Sequence, residues 1–421
     1  MHYFRYSGNK LFCENVFLGD IAKKYGTPLY VYSHRTLIEH YRKLKKAFRS
    51  VSPLICFSMK ANSNLSICRS LVKEGAGLDI VSGGELFKAL KTGVHHRKIV
   101  YASVGKTRNE IRAALKAGIL FFNVESIPEL KLINEVAYAL KQKAAVCLRV
   151  NPNVDAHTHK FITTGRSLNK FGLDIKTAKE LFLKHRLFPN VKLLGVHIHI
   201  GSQITQAGPF VAAIKRAVSL IQELKKEHLA LEYINIGGGL GIIYKNEKPQ
   251  TAQEFAKAVL PILKSSGLKI ILEPGRFIVG SAGVLLSRVT YIKRARSKNF
   301  IILDAGMNDL IRPALYEAHH EILPVRLERT GPRSAITADI VGPVCESGDF
   351  FAKARKIQEP LEGDYLALMG AGAYGYSMSS NYNARPRAAE VMVKGGKPYL
   401  VRRRETYKDL AGREVIPAFL K

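Results

Sequence analysis

The chain has 421 residues, 47% of them apolar, which is enough for two or three domains around a large core. No run of about 18 apolar residues occurs, so a membrane span is not expected, and the opening MHYFRYSGNKLF lacks the charged-then-apolar layout of a secretory signal. The net charge of +31 is dispersed in groups such as RKLKKAFR and VRRRE, without basic blocks interleaved with aromatics. It therefore reads as a solvated basic surface that attracts anionic small molecules, not as a nucleic-acid footprint.

Residues 1–32 are strand-rich. Eight apolar runs of strand length follow: LICFS (54–58), LDIVS (78–82), KIVYA (98–102), ILFFNVE (119–125), AAVCLRVN (144–151), LLGVHIHIG (193–201), YINIGGG (233–239) and KIILEPG (269–275). Segments with helical spacing lie between them, among them KTRNEIRAALKAG and FVAAIKRAVSLIQELKKE. Strand then helix, repeated at this length, predicts an α/β fold with a parallel sheet closed into a (β/α)8 TIM barrel over residues 33–280. An open doubly wound sheet is the structural alternative, but FSMKANS stands where its glycine signature belongs. After residue 280, VLLSRVTYI, FIILDA, ILPVRLE, SAITADIVG and DYLALMG succeed one another with little helix. They predict a mostly antiparallel β domain formed by 281–421 together with 1–32. Cys13, Cys56, Cys68, Cys147 and Cys345 are odd in number and lack metal-ligand or CxxC spacing, so free thiols in a reducing, cytoplasmic compartment are expected.

In such a barrel the active site lies where the strands end. The strand ends here carry Lys60, then Asp79 and Ser82, then Arg149 and Asn151. The later ones carry His197 and His199 with Ser202, then Gly237, Gly238 and Gly239, and finally Glu273, Pro274, Gly275 and Arg276. Each has an ordinary explanation: a solvated strand-end lysine, histidines lining a barrel, a glycine turn, a structural ion pair. The combination is what carries chemistry. A lysine amine suits the aldehyde of pyridoxal 5'-phosphate. Glycine N–H groups with Ser202 and Arg276 suit its phosphate. Glu273 suits its pyridine nitrogen, and an imidazole can stack on its ring. A metal site built on His197 and His199, as in barrel hydrolases, would leave the lysine and the glycines unexplained.

FSMKAN, GAGLDIVSGGEL, HTHKFITTG with KFG, GVHIHIGSQ, INIGGGLG, ILEPGR, VGPVCESGDFFAK and GAYGYSMSSNYN occur in this order. Over about residues 10 to 415 the chain thereby resembles the barrel-type pyridoxal-phosphate decarboxylases of the alanine-racemase-like fold. CESGDF and HTHKFITTG resemble more particularly the branch acting on meso-diaminopimelate. The resemblance implies that Lys60 forms the Schiff base with the cofactor. His199 would stack on its ring, and Glu273 would pair with its pyridine nitrogen. Ser202, Gly237 to Gly239, Gly275 and Arg276 would sit at its phosphate, with Pro274 beside them and Tyr374 as a further contact. Arg312, Tyr316 and Arg276 would bind the substrate carboxylate, and Glu346 its distant amine. Cys345 would return a proton to the reacting carbon. Cys345 and Glu346 would reach the site from a second subunit, implying a homodimer with shared sites. The implied reaction removes carbon dioxide from the D-centre of meso-2,6-diaminopimelate to give L-lysine. Ornithine or arginine decarboxylation is the alternative within the same fold, and a metal-dependent barrel hydrolase the alternative outside it.

Overall fold

The eight apolar runs form the eight parallel strands of a closed barrel. The computed structural model describes residues 2–155, 170–327 and 334–420. Its barrel strands are β1 (Leu54–Ser58), β2 (Gly77–Ile80), β3 (Ile99–Tyr101), β4 (Phe121–Val124), β5 (Ala144–Asn151), β6 (Val191–His197), β7 (Tyr233–Asn235) and β8 (Lys269–Leu272). Each pairs parallel with the next. The ring closes where Ile271 and Leu272 of β8 register with Leu54 and Ile55 of β1. Strands of this kind are covered on both faces and so read as continuous apolar runs, not as alternating ones. The last three stop earlier than the apolar runs suggest: β6 at His197, β7 at Asn235 and β8 at Leu272. Gly237 and Gly239 take φ of +68° and +116°, which ends extended geometry. His199, the glycine triplet and Glu273 to Arg276 therefore lie on loops just beyond the strands.

The connecting helices are α1 (Leu65–Lys73), α2 (Gly83–Lys91), α3 (Arg108–Ala117), α4 (Ile127–Ala139), α5 (Ile175–Leu183), α6 (Gly208–Lys226) and α7 (Ala252–Ser266). Their starts are written in the sequence. Asn64, Ser82, Thr107, Ser126, Asp174 and Thr251 each accept a first-turn amide, satisfying donors that the helix itself leaves open. Thr107 and Thr251 form reciprocal capping boxes with Glu110 and Glu254. Gly118 and Gly267 close α3 and α7 in the left-handed conformation. Phe255 on α7 packs edge-on against Phe210 of α6, with centroids 4.8 Å apart, and lies 5.6 Å from Phe48.

The chain divides into two compact units. One comprises Leu37–Ile243 and Glu247–Ile278 and holds the barrel; the other comprises Met1–Thr36, Tyr244–Asn246 and Val279–Lys421. Tyr244–Asn246, inside the stretch read from sequence as barrel, groups with the second unit. That unit is mostly antiparallel. Strand Gly283–Arg294 pairs antiparallel with Leu29–Ser33, Tyr365–Leu368 and Asn299–Leu303. Two pairings are parallel: Leu29–Ser33 with Ala389–Lys394, and Asn299–Leu303 with Ala335–Val341. Leu11, Leu18, Val284, Leu286 and Val391 lie in its core. Among the described residues no helix is long and apolar enough to cross a membrane. All five cysteines are free, four of them buried and Cys345 exposed.

Phe255 is 3% exposed. Replacing it with alanine opens a cavity between α6 and α7 and is expected to cost about 3–5 kcal/mol, measured as a lowered denaturant midpoint. A shift below about 1 kcal/mol would show that this aromatic cluster is not a packing centre.

Candidate active site

β1 delivers its chemistry through a single turn. The strand ends at Ser58, and the 3-10 turn Met59–Ala61 buries Met59 and Ala61 while leaving Lys60 half-buried between them. Parallel register sets Ser58 against Asp79 of β2, and Ser58 Oγ donates to Asp79 Oδ2 at 2.6 Å. Burial pushes the Asp79 carboxyl well above the usual carboxylate range; the charge of Glu273 adds to this and Lys60 opposes it.

Glu273 is the first residue beyond β8. Its Oε1 accepts from Asn123 Nδ2 of β4 at 3.0 Å and from Asn235 Nδ2 of β7 at 2.6 Å. His197 Nε2, at the end of β6, lies 3.2 Å from Oε2, an ion-pair distance without hydrogen-bond geometry. Burial alone would raise this carboxyl, but His197 and the Asn235 amide outweigh it and hold it down at about 2. Two carboxyl groups at one mouth are thus driven apart: Glu273 is a fixed anion and Asp79 favours its proton, the pattern that separates acid from base roles.

The glycine triplet is locked to the same group. Gly237 N–H donates to Asn235 Oδ1 at 3.0 Å, and Gly238 N–H to His199 Nδ1 at 3.2 Å. Burial, Lys60 and Arg149 push His199 well below its usual range, so it presents a neutral ring with Nδ1 as acceptor. A Cβ on Gly238 would lie 2.1 Å from the Glu273 carbonyl oxygen, which only glycine avoids. The N–H groups of Gly239 and Gly275 have no partner among the described residues. Arg276 donates from Nε and Nη2 to Ser202 Oγ at 3.2 and 3.1 Å. The Pro274 carbonyl accepts from Ser58 N–H at 3.1 Å, tying this loop to β1. Arg149 pairs with Glu125 at 2.9 Å and braces the His199 carbonyl.

These residues fit pyridoxal 5'-phosphate. An amine stands at the end of β1, an ionised carboxylate is held by donors, and a neutral imidazole is fixed in orientation. Two unclaimed glycine amides and the Arg276–Ser202 pair supply an anion cradle. The sequence reading missed Asn123 and Asn235. The signal was available: each is a lone amide in an otherwise apolar barrel strand, FFNV and YIN, where a buried polar group needs a partner.

The remaining expected residues belong to the second unit. Arg312 and Tyr316 share the short helix Arg312–Tyr316. Arg312 is buried, its guanidinium 4.5 Å from the Tyr244 ring centre and its Nη1 3.1 Å from His320 Nε2. His320 Nδ1 lies 2.7 Å from the Met369 carbonyl. That carbonyl can only accept, so Nδ1 carries the proton and Nε2 receives the Arg312 N–H. Cys345 and Glu346 are exposed at the tip of a turn. Asp349 clips the turn by accepting from Val344 and Met307 N–H groups, each at 2.6 Å, and Asn383 Oδ1 accepts Cys345 N–H at 2.8 Å. Tyr374 holds φ of +56° between glycine-rich neighbours. The HTHKFITTG segment, residues 157–165, lies outside the described residues.

Residues 34–280 match the family described as pyridoxal-dependent decarboxylase, pyridoxal binding domain. Diaminopimelate decarboxylase of Aquifex aeolicus is 48% identical over 406 residues, 96% of each chain. The structure of diaminopimelate decarboxylase from M. jannaschii in complex with L-lysine superposes with a TM-score of 0.94 at 38% identity, covering 99% of both chains. That of the Helicobacter pylori enzyme with L-lysine gives 0.90 at 40% identity, covering 94% of this chain and 98% of the other. A barrel mouth built for a pyridoxal cofactor and full-length similarity at this level lead to one conclusion: the chain belongs to the diaminopimelate decarboxylases within the pyridoxal-dependent decarboxylase family.

Proposed function

We propose that the protein decarboxylates meso-2,6-diaminopimelate at its D-centre, giving L-lysine and carbon dioxide, with pyridoxal 5'-phosphate anchored on Lys60. The observation that carries this reading is the mouth formed by Lys60, the donor-held anion Glu273 and the unclaimed amides of Gly239 and Gly275. When bound, the cofactor supplies an electron sink for the charge left as carbon dioxide departs. Lys60 holds the cofactor carbonyl carbon. Glu273 keeps the ring nitrogen protonated, and the neutral His199 ring offers a stacking face. Ser202, Gly237 to Gly239, Gly275 and Arg276 would hold the phosphate, Gly239 and Gly275 through N–H groups that no described residue uses.

The other roles rest on the family resemblance. Arg312, Tyr316 and Arg276 grip the substrate carboxylate, for which a guanidinium fork is well shaped. His320, which gives its Nδ1 proton to the Met369 carbonyl, accepts from Arg312 without adding a negative charge of its own. Glu346 accepts the distant amine, Cys345 delivers a proton to the carbon that lost carbon dioxide, and Tyr374 contacts cofactor and substrate. Ornithine and arginine offer no second carboxylate, so they would forgo the bidentate guanidinium contact that diaminopimelate can make. Cys345 and Glu346 act in the site of a second copy in a homodimer, a reading supported by their exposure at a turn tip. Five unpaired cysteines favour a reducing, cytoplasmic setting.

Protein purified with pyridoxal phosphate is expected to gain visible absorbance. Borohydride should fix the cofactor on Lys60, as mapped by mass spectrometry, and Lys60→Ala should abolish both signals. A colourless wild-type protein would overturn the reading. Carbon dioxide release should favour meso-diaminopimelate over ornithine and arginine by at least about 100-fold, and a preference for ornithine would reassign the substrate. Cys345→Ala is expected to lower kcat by about 100-fold. Mixing it with the Lys60→Ala protein should restore activity through hybrid dimers, and no recovery after subunit exchange would argue against shared sites.

A further inference from the structure

We infer that Asn235 is a positioning residue that couples the carboxylate at the ring nitrogen to the glycine turn at the phosphate. This rests on the cofactor reading above. Asn235 ends β7 and is fully buried. Its Nδ2 donates to Glu273 Oε1 at 2.6 Å, and its Oδ1 accepts from Gly237 N–H at 3.0 Å. The amide cannot be turned round. An ionised carboxylate only accepts and a backbone N–H only donates, so each neighbour dictates one end of the side chain. One side chain thereby reaches both the Glu273 carboxylate and the first amide of the turn, which Gly237 enters at φ +68°; the Glu273 N–H donates to the Gly237 carbonyl at 2.8 Å, so Asn235 adds a side-chain link to a backbone one. Asn123 Nδ2 donates to the same oxygen at 3.0 Å but makes no bond to the turn. The two asparagines are therefore not equivalent: Asn123 serves the carboxylate, while Asn235 joins the carboxylate to the cradle.

Neither an acid nor a hydroxyl of similar size does the same work. Aspartate keeps an acceptor for Gly237 but sets a second carboxylate against Glu273. Alanine removes both bonds. Serine is too short to span both partners. Asn235→Asp thus separates the two functions, and Asn235→Ala removes them together.

The test uses full-length protein loaded with pyridoxal phosphate, comparing wild type with Asn235→Asp, Asn235→Ala and Asn123→Ala. Cofactor affinity is measured by equilibrium dialysis. The visible spectrum and steady-state constants are recorded at saturating cofactor, and melting of the unloaded proteins is followed in parallel. Asn235→Asp is expected to alter the spectrum of bound cofactor and to lower kcat by about 100-fold at saturating cofactor, the scale of one lost donor at a developing charge. KM for diaminopimelate should stay within about threefold, because no substrate contact is removed. Asn235→Ala should additionally weaken cofactor binding by about tenfold or more, since the turn loses its Gly237 N–H tie as well. Asn123→Ala should change the spectrum while leaving affinity closer to wild type. The inference is overturned if both Asn235 variants keep the wild-type spectrum and kcat once cofactor saturates, or if every loss follows a fall in melting temperature. If Asn235→Asp does not fold, Asn235→Ala is judged by the same criteria; failure of both to fold marks the residue as structural and also overturns the inference. A wild-type protein that neither binds the cofactor nor releases carbon dioxide would instead defeat the functional reading itself.

Discussion

A buried carboxylate kept ionised is the constraint around which the barrel is arranged. Glu273 sits where desolvation alone would neutralise it. It stays charged because three different strands end at the right place: β4 and β7 bring asparagine amides to one oxygen, and β6 brings an imidazole near the other. Strands that far apart in sequence meet at one point only if the sheet closes. The ladder between β8 and β1 then sets Glu273 one strand away from the turn that carries Lys60. Barrel closure, carboxylate ionisation and lysine placement are therefore a single geometric condition seen from three sides.

The same condition explains why the mouth tolerates little substitution. Gly238 lies against the Glu273 backbone, Gly237 bonds to the asparagine that holds the Glu273 side chain, and Gly238 also orients His199. Charge state is distributed with equal economy: Asp79 leans towards its neutral form, Glu273 is anionic and His199 is neutral.

Much of this was legible in the sequence. Apolar runs followed by helical spacing gave the barrel, since strands covered on both faces cannot alternate. Four helix starts were spelled out by Ser82, Thr107, Ser126 and Thr251, each with a glutamate three residues on. Lysine, glycines and Glu/Arg at successive strand ends pointed to the cofactor. What stayed hidden depended on lumen-facing register and on long-range pairing. Asn123 and Asn235 look like minor polar interruptions until closure brings them to one oxygen 150 and 38 residues away in sequence. The grouping of Tyr244–Asn246 with the β unit, and its ring beside Arg312, carry no local signature either. Nor could pattern alone show that His199 lies past the end of its strand, because the apolar run continues through Ile200.

The distribution of thiols has a practical corollary. Cys13, Cys56, Cys68 and Cys147 are buried, and burial raises each of the first, second and fourth well above the ordinary thiol range. Such thiols are slow to become nucleophilic thiolates. Cys345, alone at the surface, is then the position that an alkylating reagent meets in the folded protein. The fold thus provides its own stoichiometric handle: one label per chain, placed on the turn that Asp349 holds in shape, whose attachment titrates the thiol to which proton delivery is assigned.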